Sequence, residues 1–109
     1  MTPADIIKTL STISREIDEL TVELTRLDED AVRARQAFKV AHARAFLTAE
    51  GSMDIRKQTA ELEVADLQLA SELADQQHRA AVTQLRALRD RLEVGRSLGA
   101  LVRLEWGQA

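Results

Sequence analysis

The chain has 109 residues, of which 45% are hydrophobic, 30% charged and only 3% aromatic, and its formal net charge is −3. It contains no cysteine, which excludes disulfides, thiolate catalysis and cysteine-built metal centres. This composition is typical of long α-helices, and the small core available to so short a chain favours self-association. No apolar run approaches a membrane span and the first residues do not resemble a leader peptide, so we expect a cytoplasmic protein.

The first predicted helix covers residues 3–50. Thr2 supplies a hydroxyl for the N-cap, Pro3 suits the first helical position, and Asp5 adds an acid to the first turn. Apolar residues then recur in alternating steps of three and four until Gly51. This spacing predicts a coiled-coil seam, which we call the first seam, formed by Ile6, Leu10, Ile13, Ile17, Leu20, Leu24, Leu27, Ala31, Ala34, Phe38, Ala41 and Ala45.

A turn is predicted at residues 51–52, where Gly51 suits the left-handed end of a helix and Ser52 suits an N-cap. A second helix is predicted over residues 53–95, since its periodicity fades at the next glycine. Its heptad positions form a second seam of Ala60, Val64, Leu67, Ser71, Ala74, His78, Ala81, Leu85, Leu88 and Leu92.

The two seams together predict the fold. We expect an all-α single domain, residues 1–109, in the form of an antiparallel coiled-coil helical hairpin. Residues 96–109 form an amphipathic C-terminal helical extension of this hairpin. A turn at Ser52 sets large seam residues opposite large ones and small ones opposite small or medium ones.

Charge supports the same hairpin. Residues 1–30 carry eight acids and three bases, and residues 31–57 carry two acids and six bases. The order is inverted in the second half, because residues 58–78 carry five acids and no base whereas residues 79–109 carry three acids and six bases. Folding at the turn therefore lays acidic stretches along basic ones, which favours this orientation and register.

In a two-helix hairpin, each helix buries only the seam that faces the other helix. Further apolar residues lie outside the two seams and stay uncovered. The second helix carries an outer row, and the C-terminal extension carries apolar residues that overhang the start of the first helix. Apolar rows on two faces indicate additional neighbours, so we expect a homo-oligomer. The candidate oligomer or partner contacts are Leu62, Leu69, Leu73, Leu101, Val102, Leu104 and Trp106.

Few residues suggest catalysis. His78 lies on the second seam without a second and third ligand at metal-binding spacing, and we interpret it, like Ser71, as a polar seam residue that fixes register. The sequence has no glycine-rich phosphate loop, nucleophile elbow or paired-carboxylate site. We therefore expect a protein that is not an enzyme, with no metal, no cofactor and no small-molecule substrate.

A basic cluster surrounds the predicted turn. Its members are candidates for nucleic-acid binding, since several copies in an oligomer would build a positive surface. The alternative is that these bases are solvated and partly paired with acids, as the overall negative charge favours. The candidate residues are Arg33, Lys39, Arg44, Arg56 and Lys57.

Three features of the pattern resemble a known family. The first helix ends in a stretch rich in alanine, arginine and phenylalanine (residues 33–47), basic residues follow the glycine turn (Arg56 and Lys57), and an arginine- and leucine-rich segment covers residues 86–98. The chain thereby resembles the small helical recombination mediators of bacteriophages, the UvsY type. That resemblance implies a ring-like oligomer that binds single-stranded DNA and helps to load a recombinase in place of single-strand binding protein.

Two hypotheses for function follow. In the first, the protein is an oligomeric helical accessory protein that binds single-stranded DNA, a recombinase, or both, in phage-type DNA recombination. In the second, it is a structural or adaptor coiled-coil protein that docks a protein partner through exposed apolar rows. The two differ in salt dependence, because phosphate binding weakens steeply with ionic strength whereas apolar docking does not.

Overall fold

The computed structural model describes residues 2–107, which contain three helices: α1 (Pro3–Thr48), α2 (Met53–Glu63) and α3 (Ala65–Gly107). No strand occurs among these residues, so the all-α prediction is confirmed. None of the three helices carries an apolar stretch of the length needed to cross a bilayer.

The described residues form two compact units. Unit 1 contains the described residues up to Leu24 together with those from Ala80 onward. Unit 2 is Thr25–Arg79 and includes the whole segment between α1 and α2. Each unit has its own buried residues.

α1 begins at Pro3, as its capping residues predict. The Asp5 N–H donates a hydrogen bond to Thr2 Oγ1 (3.2 Å), and the hydroxyl and N–H of Thr2 donate to Asp5 Oδ2 (2.8 and 3.1 Å). The bond from the Thr2 hydroxyl, followed by that from its N–H, lowers the pKa of Asp5 below its ordinary value. This reciprocal pair satisfies backbone donors that the first turn of a helix leaves free.

α1 ends at Thr48, two residues before its predicted end. The cause is local: Gly51 has a φ of 108°, in the region that favours glycine, and the chain leaves the helical path ahead of it. Ser52 then acts as the N-cap of α2, since its side chain accepts a hydrogen bond from the Ile55 N–H at 3.3 Å.

The predicted second helix is interrupted at Val64. This residue has a φ of −107° and a ψ of 11°, and its N–H donates to the carbonyl oxygens of Ala60 and Leu62. The Gln68 N–H donates to the Val64 carbonyl at 2.9 Å. The chain therefore passes from α2 to α3 through a single non-helical residue, whose side chain is buried in the core of unit 2.

α3 continues past the predicted end at residue 95 and reaches Gly107. The reason lies in what two glycines contact within unit 1. A Cβ on Gly95 would lie 2.6 Å from Leu10 Cδ2, and one on Gly99 would lie 3.3 Å from Ile6 Cγ2. These glycines allow close approach to α1 instead of ending the helix. The last two residues of the predicted extension, 108–109, lie outside the described residues.

The core of unit 2 consists of small side chains. Ala45 of α1 packs with Ala60 of α2 and with Val64, and Phe38, Ala41 and Phe46 lie partly buried against them. Ala60 is fully buried, with 0% of its surface exposed. Small residues at these positions let the helices of this unit approach each other closely.

Polar contacts in unit 2 continue the same pairing. Arg35 Nη2 lies 2.9 Å from Asp75 Oδ1, an ion pair between the predicted basic and acidic stretches. His78 Nε2 lies 3.7 Å from Asp28 Oδ1. Within unit 2, these contacts and the core pair α1 with α2 and α3 in antiparallel order. Residue numbers fall along α1 as they rise along α2 and α3.

Unit 1 has larger apolar side chains in its core. Its buried residues are Ile6 and Ile13 of α1 and Ala81, Leu85 and Leu88 of α3. All five belong to the predicted seams. The hydrophobic effect therefore stabilises this unit mainly through leucine and isoleucine, whereas alanine and valine dominate the core of unit 2.

Candidate functional site

All five candidate bases lie in unit 2, and they differ in what they contact. Arg56 of α2 is the most engaged. Its guanidinium carbon lies 4.8 Å from the centroid of the Phe46 ring, and its Nη2 donates a hydrogen bond to the Phe46 carbonyl at 3.2 Å. Its Nε is buried without a hydrogen-bond partner among the described residues. Arg56 therefore holds the end of α1 and the start of α2 together.

Arg33 of α1 is paired within its own helix. Its Nη2 lies 2.8 Å from Glu29 Oε1, one turn earlier. The hydrogen bond with Glu29 raises the pKa of the Arg33 guanidinium, and the negative charge of that carboxylate adds to the effect. Both side chains are exposed, so this pair remains open to competition from other anions.

The three other bases are free within the described residues. Lys39 and Arg44 of α1 and Lys57 of α2 are exposed, and their side chains form no hydrogen bond or ion pair with any of residues 2–107. They can neutralise phosphates without giving up an intramolecular partner. The sequence gives Arg56 and Lys57 the same role as candidate bases. In the structure they differ, because Arg56 contacts the Phe46 ring whereas the Lys57 side chain is free among the described residues.

The apolar candidates on α2 and α3 are exposed. In unit 2, Leu62 has 80% of its surface exposed and Leu69 has 54%, and Leu73 is also exposed. Their spacing of seven and four residues places them on one side of the helical path, away from the core. Leucines this exposed on one side are the feature of unit 2 that most favours a contact with another chain.

The apolar candidates at the end of α3 belong to unit 1. Leu101, Leu104 and Trp106 are exposed. Val102 is half-buried. It is therefore partly covered within unit 1 and is a weaker candidate for an outside contact than its neighbours.

A groove that the sequence does not reveal lies in unit 1. It has a volume of about 310 Å³, and Ile6, Leu10, Gly99 and Arg103 are among the residues that line it. The close approach at Gly99 forms part of its floor. The groove is apolar, and its only charged lining residues are arginines, so it offers neither a nucleophile nor a general base.

The two polar residues of the predicted second seam are at least partly buried. His78 is half-buried beside Asp28, and Ser71 is buried. No group of three or more histidine, aspartate or glutamate side chains within residues 2–107 is arranged to hold a metal ion.

The chain matches no protein-family model, no curated protein and no solved structure.

Proposed function

We propose that the protein is an oligomeric accessory protein of phage-type DNA recombination that binds single-stranded DNA, a recombinase, or both. It acts in the cytoplasm as an antiparallel coiled-coil hairpin. The contacts within each unit support the hairpin, since residue numbers fall in α1 as they rise along its partners. The resemblance of residues 33–47 and 86–98 to recombination mediators supplies the class of process.

The observation that carries the DNA-binding proposal is the free state of three bases. Lys39, Arg44 and Lys57 are exposed, and their side chains have no hydrogen-bond or ion-pair partner among residues 2–107. Each phosphate that such a base neutralises releases counterions, and this entropy gain drives binding without a sequence preference. An oligomer repeats the three bases in every copy, so one DNA strand meets several local positive clusters, although each copy has a net charge of −3.

Arg33 and Arg56 have secondary roles in this proposal. Arg33 exchanges its intrahelical partner Glu29 for a phosphate, at little cost because the pair is exposed. Arg56 positions the start of α2, and thereby Lys57, through its contact with Phe46.

The test is a titration of a fluorescently labelled single-stranded oligonucleotide, followed by anisotropy at low and moderate salt. The wild type should bind at low salt and release DNA as salt rises. Lys57→Glu should weaken binding by about tenfold or more, because it replaces an attraction to phosphate with a repulsion. The matched control is Lys8→Glu, which changes the same charge at an exposed position of unit 1 and should bind nearly as the wild type does.

Two results would contradict the DNA-binding proposal. One is an affinity for the oligonucleotide that does not change with salt. The other is equal binding by Lys57→Glu and Lys8→Glu, which would separate binding from the candidate bases.

A second function is favoured by the exposed leucines of unit 2. Leu62, Leu69 and Leu73 provide an apolar row on which an amphipathic helix of a partner protein packs. In this adaptor function, partner affinity persists at high salt and falls when Leu62 or Leu69 is replaced by alanine. Replacing Lys57 leaves it unchanged.

A further inference from the structure

Unit 2 carries two outward faces with apolar residues, one on α1 and one on α2–α3. On α1, Val40 and Leu47 are exposed and seven residues apart, so they lie on one side of the helix. We call this side, with the neighbouring Lys39 and Arg44, the basic face. Both bases are free of partners within residues 2–107.

The second face lies on α2 and α3. Leu62 and Leu69 are exposed and also seven residues apart. We call this side, with the neighbouring Glu63 and Glu72, the acidic face. These two glutamates are exposed, and neither has an ion-pair partner in the described part of the chain.

We propose that the basic face of one copy packs against the acidic face of a second copy, with the helices antiparallel. The inference rests on the self-association contained in the proposed function, and it does not depend on DNA binding. It identifies the partner of both faces as a second copy of this chain.

The exposed apolar residues of the two faces match in spacing. In an antiparallel helix pair, residue numbers rise along one helix as they fall along the other. The numbers of residues that face each other across the seam therefore have a constant sum. The register that sets Leu47 opposite Leu62 of α2 also sets Val40 opposite Leu69 of α3. The bonds from the Val64 N–H to the Ala60 carbonyl and from the Gln68 N–H to the Val64 carbonyl keep helical spacing between the two leucines. Two of the exposed apolar residues on each face are thus buried by one alignment, which the hydrophobic effect favours.

The charged residues of the two faces are complementary in the same register. In an antiparallel helix pair, each heptad position that flanks the apolar seam lies opposite the equivalent flanking position of the other helix. In this register, Lys39 falls opposite Glu72 and Arg44 falls opposite Glu63. None of the four charged side chains has an ion-pair partner among residues 2–107, so each gains one without losing another.

Neighbouring registers are less favourable. Sliding the helices by one heptad so that Val40 faces Leu62 sets Arg44 opposite Arg56. In each of the two remaining pairs of the preferred register, Ala43 with Asp66 and Gln36 with Leu73, one residue is polar and the other apolar.

The type of assembly follows from the two faces being different. A contact between unlike surfaces is heterologous, so each copy keeps one free basic face and one free acidic face after the first contact. Assembly then continues until a ring closes or a longer array forms. The smallest ring has two copies, in which a two-fold axis lets both contacts form at once.

The proposal connects to DNA binding through Lys39 and Arg44, which serve both. A phosphate backbone and the acidic face of a second copy compete for these two side chains. Lys57 takes no part in the proposed self-association, and Leu62, Leu69, Glu63 and Glu72 take no part in the proposed DNA binding. Substitutions at these positions therefore test the two proposals separately.

The experiment uses charge reversal and light scattering without DNA. Variant A carries Glu63→Lys and Glu72→Lys, and variant B carries Lys39→Glu and Arg44→Glu. Each alone should associate at least about tenfold more weakly than the wild type, since two attractive pairs become repulsive. An equimolar mixture of A and B should regain wild-type association, because each contact between the two variants again pairs opposite charges.

Matched controls separate this contact from general effects of charge and hydrophobicity. Glu61→Lys reverses an exposed acid that lies off the acidic face and should leave association unchanged, in contrast to Glu63→Lys. Val22→Ala shortens an exposed side chain in unit 1 and should have little effect, whereas Leu62→Ala with Leu69→Ala should weaken association. All positions are exposed, so circular dichroism should report unchanged helix content.

Three results would overturn the proposal. One is a wild type that stays monomeric at every concentration tested. Another is equal association by Glu63→Lys and Glu61→Lys. The third is a mixture of A and B that associates no better than either variant alone. None of these outcomes bears on Lys57, so a failure of self-association remains distinguishable from a failure of DNA binding.

Discussion

Substituting Gly51 by alanine tests how the turn between α1 and α2 is held. Gly51 has a φ of 108°, a conformation that L-residues adopt at a cost of about 1–2 kcal/mol. The new Cβ would also lie 3.2 Å from Ile55 Cγ2, which requires the isoleucine to move by a few tenths of an ångström. Alanine restricts the unfolded chain, but this gain applies where the native φ suits it, and here it does not.

We therefore expect Gly51→Ala to lower the free energy of unfolding by about 1–2 kcal/mol. Urea unfolding followed by circular dichroism should report this as a lower midpoint, by about 0.5–1 M. Gly107→Ala is the control: no atom lies within 4 Å of the added Cβ, and its effect should stay within about 0.5 kcal/mol. A midpoint for Gly51→Ala equal to that of the wild type would refute the reasoning.

Three further predictions follow from single contacts. Ala60→Leu should cost about 1–3 kcal/mol in urea unfolding by overpacking a fully buried position, and a wild-type midpoint would contradict this. Arg56→Ala should cost about 1–2 kcal/mol through its lost ring contact and carbonyl hydrogen bond, whereas Lys57→Ala should be nearly neutral; equal effects would refute the difference. Because hydrogen bonds lower the pKa of Asp5, its contribution is present above its unfolded-state pKa and lost as pH falls through the folded-state pKa. Thr2→Ala should raise that pKa in an NMR titration, and an unchanged value would exclude the cap as its cause.

Much of the helical structure follows from local signals in the sequence. The start of α1 depends on Thr2, Pro3 and Asp5, which lie within one turn of each other. The segment around Gly51 depends on a glycine conformation and on the Ser52 cap. Signals of this kind act over three or four residues, so a single sequence contains them.

Other features depend on contacts between residues far apart in sequence. The residues around Gly95 predict a helix end, but Gly95 lies inside α3, where it allows close approach to Leu10. Nothing local marks this, because the contact joins residues more than eighty positions apart. The interruption at Val64 is equally unmarked, since a buried valine suits the interior of the predicted helix.

The candidate bases illustrate the same division. Their clustering around the turn is visible in the sequence, but their availability is not. Arg56 is engaged because the Phe46 ring lies beneath it, and that contact exists only once the chain has turned. Lys57, its neighbour in sequence, remains exposed and free among the described residues.

In the proposed function, an assembly of this chain binds single-stranded DNA through exposed bases. The most direct test is the molar mass of the wild type by light scattering, with and without a labelled single-stranded oligonucleotide, at low and moderate salt. We expect an oligomer that gains the mass of DNA at low salt and loses it as salt rises. A protein whose mass is the same with and without the oligonucleotide at every salt concentration would contradict the claim.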